Sequence, residues 1–448
     1  MKRMRMRGGY NLNIAGKPEK ALESQLDIPE TIAVKAQDIP GIKPLVKVSQ
    51  GDKVQCGDVL FVHKKDPRIA FVSPMAGTIK EVCRGHRRAL IEIVIEPEKK
   101  QSFGSFGTFS TESISEQELV DHLLKTGMWP FFRSIPFHQL ADPEQRPRDI
   151  YVKTLDTEPH CPDLNYVLKG KEGELEKGIN LLKKLTRGNV FITAARTDES
   201  YPSAYDAMEG ASVIKAQAKF PAGNPHVQSY YVSPLRKEEC AWYIDAQDLI
   251  AIVRLLETGK WDSVRTITVA GSMMTRPRYV ETYLGRKVSS LALSDVLAGE
   301  KRYLSGGVFT GLQIDAEAHL GFYARSLHIL KEGLQREFLR FVWPGLDKYS
   351  FSKVFLSSVF PRQEYELNTS IQGEERACIQ CSHCELVCPT ELLPQFLFKT
   401  TLAEDFDEME GLGIQDCVEC GLCTYVCPSK IEVDQIIKGG LDAILKEA

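Results

Sequence analysis

Cys378-Ile379-Gln380-Cys381-Ser382-His383-Cys384-Glu385-Leu386-Val387-Cys388-Pro389 is followed, after a spacer, by Cys417-Val418-Glu419-Cys420-Gly421-Leu422-Cys423-Thr424-Tyr425-Val426-Cys427-Pro428. Both stretches read Cys-x2-Cys-x2-Cys-x3-Cys-Pro. Three cysteines at two-residue gaps let a short loop wrap three corners of an iron–sulfur cube, and the cysteine before proline reaches to a neighbouring one. On that logic Cys378, Cys381, Cys384 and Cys427 hold one [4Fe-4S] centre, and Cys417, Cys420, Cys423 and Cys388 hold the second.

Two simpler readings compete. Disulfides would need an oxidising compartment, and no secretory leader is seen ahead of the motif. Zinc needs four ligands, but neither a third cysteine at the same gap nor a Cys-Pro ending, and here both occur twice. The doubled run is that of bacterial ferredoxins. The other four cysteines, Cys56, Cys83, Cys161 and Cys240, are scattered and read as small buried side chains.

The chain of 448 residues is long enough for three or four domains. No apolar run reaches the length of a membrane span, and no basic run is interleaved with aromatics, which argues against nucleic-acid binding. The net charge of −4 conceals an asymmetry: residues 364–448 carry seventeen acidic and five basic side chains. Such an acidic module is expected to be solvated, or to dock on a basic patch of a partner or of its own body. It should also lower the potential of any centre it surrounds.

Ahead of that module, residues 1–27 form an N-terminal strand segment, with Met4-Arg5-Met6-Arg7 alternating like an edge strand before Gly8-Gly9. Residues 28–98 are short alternating runs broken by Gly51-Asp52 and Gly57-Asp58, resembling the lipoyl and biotinyl carrier barrel. Its hairpin, His63-Lys64-Lys65-Asp66-Pro67, lacks the Met-Lys-Met setting of a biotinyl lysine and is read as structural. Residues 117–262 alternate strands and helices, as in an open, Rossmann-like α/β sheet. Residues 263–335 resemble a β-grasp ligand-binding domain, with a helix at 288–297, a structural glycine-rich turn at 305–311 and an amphipathic helix beginning at 328 and running to 341. Residues 336–448 are expected to be a helical two-cluster domain.

The order barrel, α/β, β-grasp, helical cluster module, together with Gly9-Tyr10-Asn11-Leu12-Asn13-Ile14-Ala15-Gly16, the stretch 152–159 and Pro344-Gly345-Leu346-Asp347-Lys348-Tyr349-Ser350, resembles one family over nearly the whole chain. It is the A-subunit family of the Na+-translocating NADH:quinone reductases. The C subunit of the Rnf electron-transport complex is a cousin, and the flavoprotein subunit of respiratory complex I is a more distant one.

The resemblance implies a peripheral electron-transfer subunit on the cytoplasmic face of the cell membrane, partnered by the other subunits of the complex, with quinone as a reactant of the whole complex. In NADH-oxidising relatives a glycine-rich loop before the first α/β strand cradles flavin and nucleotide phosphates, which need closely converging backbone N–H groups. The matching stretch here is Gly127-Met128-Trp129-Pro130-Phe131-Phe132. Asp156-Thr157-Glu158-Pro159 keeps part of the acidic motif that follows, and its carboxylates are expected to cap a loop. The site therefore reads as closed to NADH and FMN, and Trp129, Phe131, Phe132 and Trp242 read as core. Many family members have degraded cysteine runs, whereas all eight cysteines persist here. That feature leans towards the Rnf relative, so an NADH-oxidising entry subunit of an Rnf-type complex is the alternative function.

Overall fold

Alternation of apolar residues with Gly-Asp turns produces the first module. In the computed structural model, which describes residues 2–196, 205, 208–292, 295–333, 344–370 and 374–447, it is two antiparallel sheets. One holds Ile32–Lys35, Leu90–Pro97, Gly77–Arg84 and Lys53–Val54; the other holds Pro44–Val46, Val59–His63 and Ala70–Val72. Asp52 and Asp58 each accept the backbone N–H three residues upstream, at 2.7 Å, so the repeated Gly-Asp motif makes the same turn twice. Ile32, Leu60, Phe61, Phe71, Ile79 and Ile93 are all buried between the sheets.

The second module is a six-stranded sheet in the order Lys2–Arg3, Ala211–Ala216, Val190–Ala195, Ile150–Lys153, Ala241–Asp245, Arg133–Ile135. All pairings are parallel except that of the Arg133–Ile135 edge. The central strands are nearly continuous runs of buried apolar residues, as a parallel sheet covered on both faces requires. Helices Glu172–Leu185 and Ala246–Thr258 pack together against the sheet. Met4 and Met6 are buried while Arg5 and Arg7 are exposed, so the alternation read at the N-terminus holds. The assigned edge strand, however, is Lys2–Arg3, one step earlier.

The third module is a mixed sheet ordered Leu312–Ile314, Lys301–Ser305, Ser326–Lys331, Val264–Ala270, Arg278–Tyr283, Glu19–Ser24. Residues of the N-terminal segment thus complete two different sheets. The helix expected from 328 is corrected here: Ser326–Lys331 is an interior strand, and 334–341 lie outside the described residues. Five of its six residues are buried, and a fully buried strand has no alternation to distinguish it from a helix. The helix expected at 288–297 is shorter, Val288–Ala292; 293–294 lie outside the described residues, and 296–297 are not helical.

The cysteine module is helical, as expected. Each three-cysteine loop leads into a short helix, His383–Val387 or Leu422–Tyr425, and each Cys-Pro leads towards a longer one, Pro394–Leu402 or Val433–Glu447. The two longer helices pack on each other around Leu397, Phe398, Ile437 and Leu441.

Many contacts join the modules, among them the following. Asp248, on the second module, receives Arg265 at 2.8 Å and Arg325 at 2.6 Å from the third, and all three side chains are buried. Gly8 runs so close to the cysteine module that a Cβ there would lie 2.0 Å from the Cys388 carbonyl, which explains glycine at that position. Next to it, the Gly9 N–H donates to Val387 O at 2.7 Å.

Candidate functional site

The proline after each fourth cysteine cannot continue the short helix that precedes it, so the chain turns away from its own loop. The result is two cavities. Cys378, Cys381 and Cys384 line the first together with Cys427; Cys417, Cys420 and Cys423 line the second together with Cys388. The sequence-predicted residues are brought together in the crossed grouping. Remaining walls are largely apolar, with Ile379, Phe398, Ile431 and Val433 in the first and Leu392, Leu397, Leu422 and Ile437 in the second.

The space between these walls, open solvent included, is about 340 Å³ in the first and 400 Å³ in the second. The cysteines stand around these walls; among the described residues no three His, Cys, Asp or Glu side chains converge as on a single metal ion. Soft sulfur donors around an apolar, multi-atom space suit an iron–sulfur cluster better than one hard cation.

Burial pushes the Cys384 thiol up to about 11 and that of Cys417 up to about 12, and raises Cys388, Cys420 and Cys423 as well. Thiolates in these walls therefore need a cationic partner, which bound iron supplies. The Leu392 N–H donates to the Cys388 sulfur at 3.3 Å, and the Glu419 and Leu422 N–H groups donate to Cys417 and Cys420. Such bonds stabilise charge on sulfur and tune a cluster's potential.

The two sets differ in setting. Cys381 is exposed, whereas Cys420 is buried. Val418, Cys420, Leu422 and Val426 share an apolar cluster with Tyr151, Phe220 and Ile214 of the α/β module. Close by, a buried chain joins Tyr243, His138 and His226: Tyr243 Oη lies 3.0 Å from His138, whose other ring nitrogen lies 3.4 Å from His226. Sequence reasoning missed this pair, because the two histidines are far apart in the chain and carry no motif.

The stretch 127–132 is a packed turn. Met128, Trp129, Phe131 and Phe132 are all buried. The Trp129 indole N–H donates to Ala141 O at 2.8 Å, and Tyr323 donates to Pro130 O at 2.7 Å. Trp242 stands edge-on to Trp129, so the four aromatics expected to be core are core. Asp156 pairs with Lys153 at 2.5 Å. Glu158 accepts the N–H groups of Phe309 at 2.7 Å and Thr310 at 2.9 Å, together with the Thr310 hydroxyl. It caps the glycine-rich turn of the third module, a role that fits the expectation of loop-capping carboxylates.

Cys56 is buried, and its thiol donates to Pro74 O at 3.3 Å; Cys83, Cys161 and Cys240 are half-buried, and none of the four lines either cavity. The acidic module touches the basic N-terminal segment through Arg7–Glu391 at 3.4 Å, an exposed pair of small energetic value.

Comparison with known proteins bears on this architecture. Residues 4–98 match the NqrA N-terminal barrel-sandwich hybrid domain, 114–261 the NqrA second alpha/beta domain, 266–316 the NQRA C-terminal domain and 377–431 a 4Fe-4S dicluster domain. Among solved structures, an air-oxidized NAD+-reducing [NiFe]-hydrogenase covers 67% of this chain and 55% of its own at 12% identity, with a TM-score of 0.35, too low to carry an argument. The A subunit of the Na(+)-translocating NADH-quinone reductase of Pasteurella multocida is 32% identical over 98% of both chains. That of Saccharophagus degradans is 33% identical over 99% of this chain and all of its own. Identity sustained over all four modules, from the barrel to the last helix, means that this chain belongs to the NqrA family, the A subunits of the Na+-translocating NADH-quinone reductases.

Proposed function

We propose that the chain is the peripheral electron-transfer subunit of a Na+-translocating NADH:quinone reductase, working with the other subunits of that complex, which carry out quinone reduction coupled to sodium transport. The observation that carries this reading is the pair of cavities, each gathering three cysteines of one run and the fourth of the other. Two [4Fe-4S] clusters, one on Cys378, Cys381, Cys384 and Cys427 and one on Cys417, Cys420, Cys423 and Cys388, would supply one-electron chemistry when bound. The chain's own part is to hold eight sulfurs in an apolar wall, to aim N–H groups at them and to surround them with negative charge.

We read the parallel sheet as Rossmann-like, since its central strands lie in the order Ala211–Ala216, Val190–Ala195, Ile150–Lys153, Ala241–Asp245, so that the strand order reverses between Ile150–Lys153 and Ala241–Asp245. The third sheet, with its short helix, is read as β-grasp. The nucleotide crevice is read as closed to NADH and FMN, because Met128, Trp129, Phe131 and Phe132 fill the space that phosphates would need. Attachment is read as running through the partner subunits at the cytoplasmic face; among the described residues no helix is long and apolar enough to cross a membrane.

Iron and sulfide analysis of anaerobically prepared protein tests the cluster assignment, with about eight irons expected from two four-iron centres. Cys427→Ala should disturb the centre of Cys378, Cys381 and Cys384, as read by EPR. A colourless, zinc-loaded protein would overturn the cluster reading, and damage confined to the centre of Cys417 would overturn the crossed ligation. Calorimetric titration with NADH and with FMN separates the proposal from the Rnf-type alternative; low-micromolar binding of either ligand would favour the alternative.

A further inference from the structure

Within the acidic cysteine module, the charges nearest the two cysteine sets differ in sign. Asp434 and Glu419 both stand in the wall of the second cavity. Asp434 lies in the first turn of the Val433–Glu447 helix, where its carboxylate takes the Thr424 hydroxyl and its N–H donates to the same oxygen at 2.9 Å. Thr424 follows Cys423, so this double bond to one side chain holds the carboxylate against the cysteine loop. There it is within electrostatic reach of Cys417, Cys420 and Cys423. Lys438 pairs with Glu419 at 2.7 Å and reaches Asp434 only beyond contact distance, so the wall keeps a net negative charge.

Among the described residues, the wall of the first cavity contains no carboxylate. Glu385 lies outside it, accepting from Gln395 of that wall at 3.4 Å. Against this one charge stand three cations. Arg376 donates its N–H to Ser429 O at 2.9 Å and its guanidinium to Pro428 O at 3.2 Å, which fixes it beside the exit from Cys427. Lys430 is half-buried three residues past Cys427. Burial lowers its pKa, the Cys427 charge raises it, and the Arg376 and Lys348 charges lower it again, so these groups are neighbours in space. Glu374 and Glu375 are exposed, and neither is among the charges that act on Lys430.

We infer that Asp434 on one side and Lys430, with Arg376 and Lys348, on the other order the two centres by potential. The second is held harder to reduce, and an electron in the module settles at the set of Cys378, Cys381, Cys384 and Cys427. This rests on the two-cluster reading above. Reduction adds negative charge, which a near carboxylate opposes and a near cation favours. Solvent works in the same direction, since Cys381 is exposed and Cys420 is buried. Backbone N–H groups aimed at sulfur occur at Cys384 and, in greater number, around Cys388, Cys417 and Cys420. They work against this order, but each is a partial charge set against the whole charge of Asp434.

EPR-monitored redox titration of the anaerobically prepared full chain reads the two midpoints. Asp434→Asn keeps an acceptor for Thr424 and should raise the lower midpoint by about tenfold in the reduction equilibrium, or about 59 mV. Lys430→Gln should lower the higher midpoint by about threefold, or roughly 28 mV, the smaller effect of a half-buried, partly screened charge. Lys430→Arg, which keeps the charge, should leave that midpoint in place. Asp407→Asn removes an exposed carboxylate from the Phe406–Gly411 helix of the same module and should move neither. Lys430 lines neither cavity, so its two variants decide the matter even if Asp434→Asn fails to hold iron. Unmoved midpoints in Asp434→Asn and Lys430→Gln, an effect of Asp434→Asn on the higher midpoint, or an equal shift from Asp407→Asn would overturn the ordering. Iron analysis of the same samples separates the two failures. About eight irons with unmoved midpoints overturns the ordering alone, whereas unaltered protein without cluster iron overturns the two-cluster reading and the ordering with it.

Discussion

Replacing Glu158 by alanine probes the junction on which three modules meet. Its carboxylate receives the Phe309 N–H at 2.7 Å, the Thr310 N–H at 2.9 Å and the Thr310 hydroxyl at 2.7 Å. A hydrogen bond to a charged group contributes about 1.5–3 kcal/mol when its partner cannot find water. Thr310 is exposed, so its two groups would recruit solvent and their loss costs about 0.5 kcal/mol each. Phe309 is half-buried, and its bond keeps most of its value. Against this, removing a carboxylate whose pKa is raised by burial, and next by the Asp156 charge, recovers some desolvation energy. The net loss is about 2 kcal/mol.

The effect should spread, because the Phe309 ring stacks on Phe220 at 5.1 Å and meets Tyr425 edge-on at 5.4 Å, beside the second cysteine loop. Urea unfolding measures the free energy, and hydrogen exchange at 305–311 and 421–426 measures the spread. Glu158→Gln, which keeps one acceptor oxygen, should lose about half as much. A loss under about 0.5 kcal/mol for Glu158→Ala, with exchange unchanged in both segments, would refute the idea that this carboxylate holds the turn.

Further outcomes follow from the same contacts. Asp248→Ala strands two buried guanidinium groups, Arg265 and Arg325, and should cost about 3–5 kcal/mol in chemical unfolding; a cost below about 1 kcal/mol would show that the pair is hydrated. Gly8→Ala forces a Cβ against the Cys388 carbonyl, so proteolysis should release the N-terminal strand more readily while Gly173→Ala, on a helix and with open space around it, leaves that rate unchanged. His328 lies buried between Gly306 O and Pro159 O, and burial lowers its pKa to about 4. Because the folded value lies below the unfolded one, its contribution is complete above about pH 6.5 and is lost as pH falls towards 4, by about 3 kcal/mol. His328→Asn should flatten that part of the stability profile, and an unchanged profile would argue against His328 as the source.

The residues themselves settled whatever depends on local spacing. Two identical Cys-x2-Cys-x2-Cys-x3-Cys-Pro runs dictate short loops and exits, and repeated Gly-Asp pairs dictate repeated turns, because in both cases the interacting groups are a few bonds apart. The bulk of Met128, Trp129, Phe131 and Phe132 likewise announced a packed turn before any partner was known. Tertiary structure decided the remainder. Ser326–Lys331 became an interior strand because neighbours on both sides bury it and erase the alternation that would have marked it. Glu19–Ser24 joined a sheet whose other strands lie over two hundred residues away, a pairing with no local signature. Which of the two cysteine sets faces solvent depends on where Pro389 and Pro428 send the chain against the long helices. That choice is made by packing energy summed over distant side chains, and no window of sequence contains it.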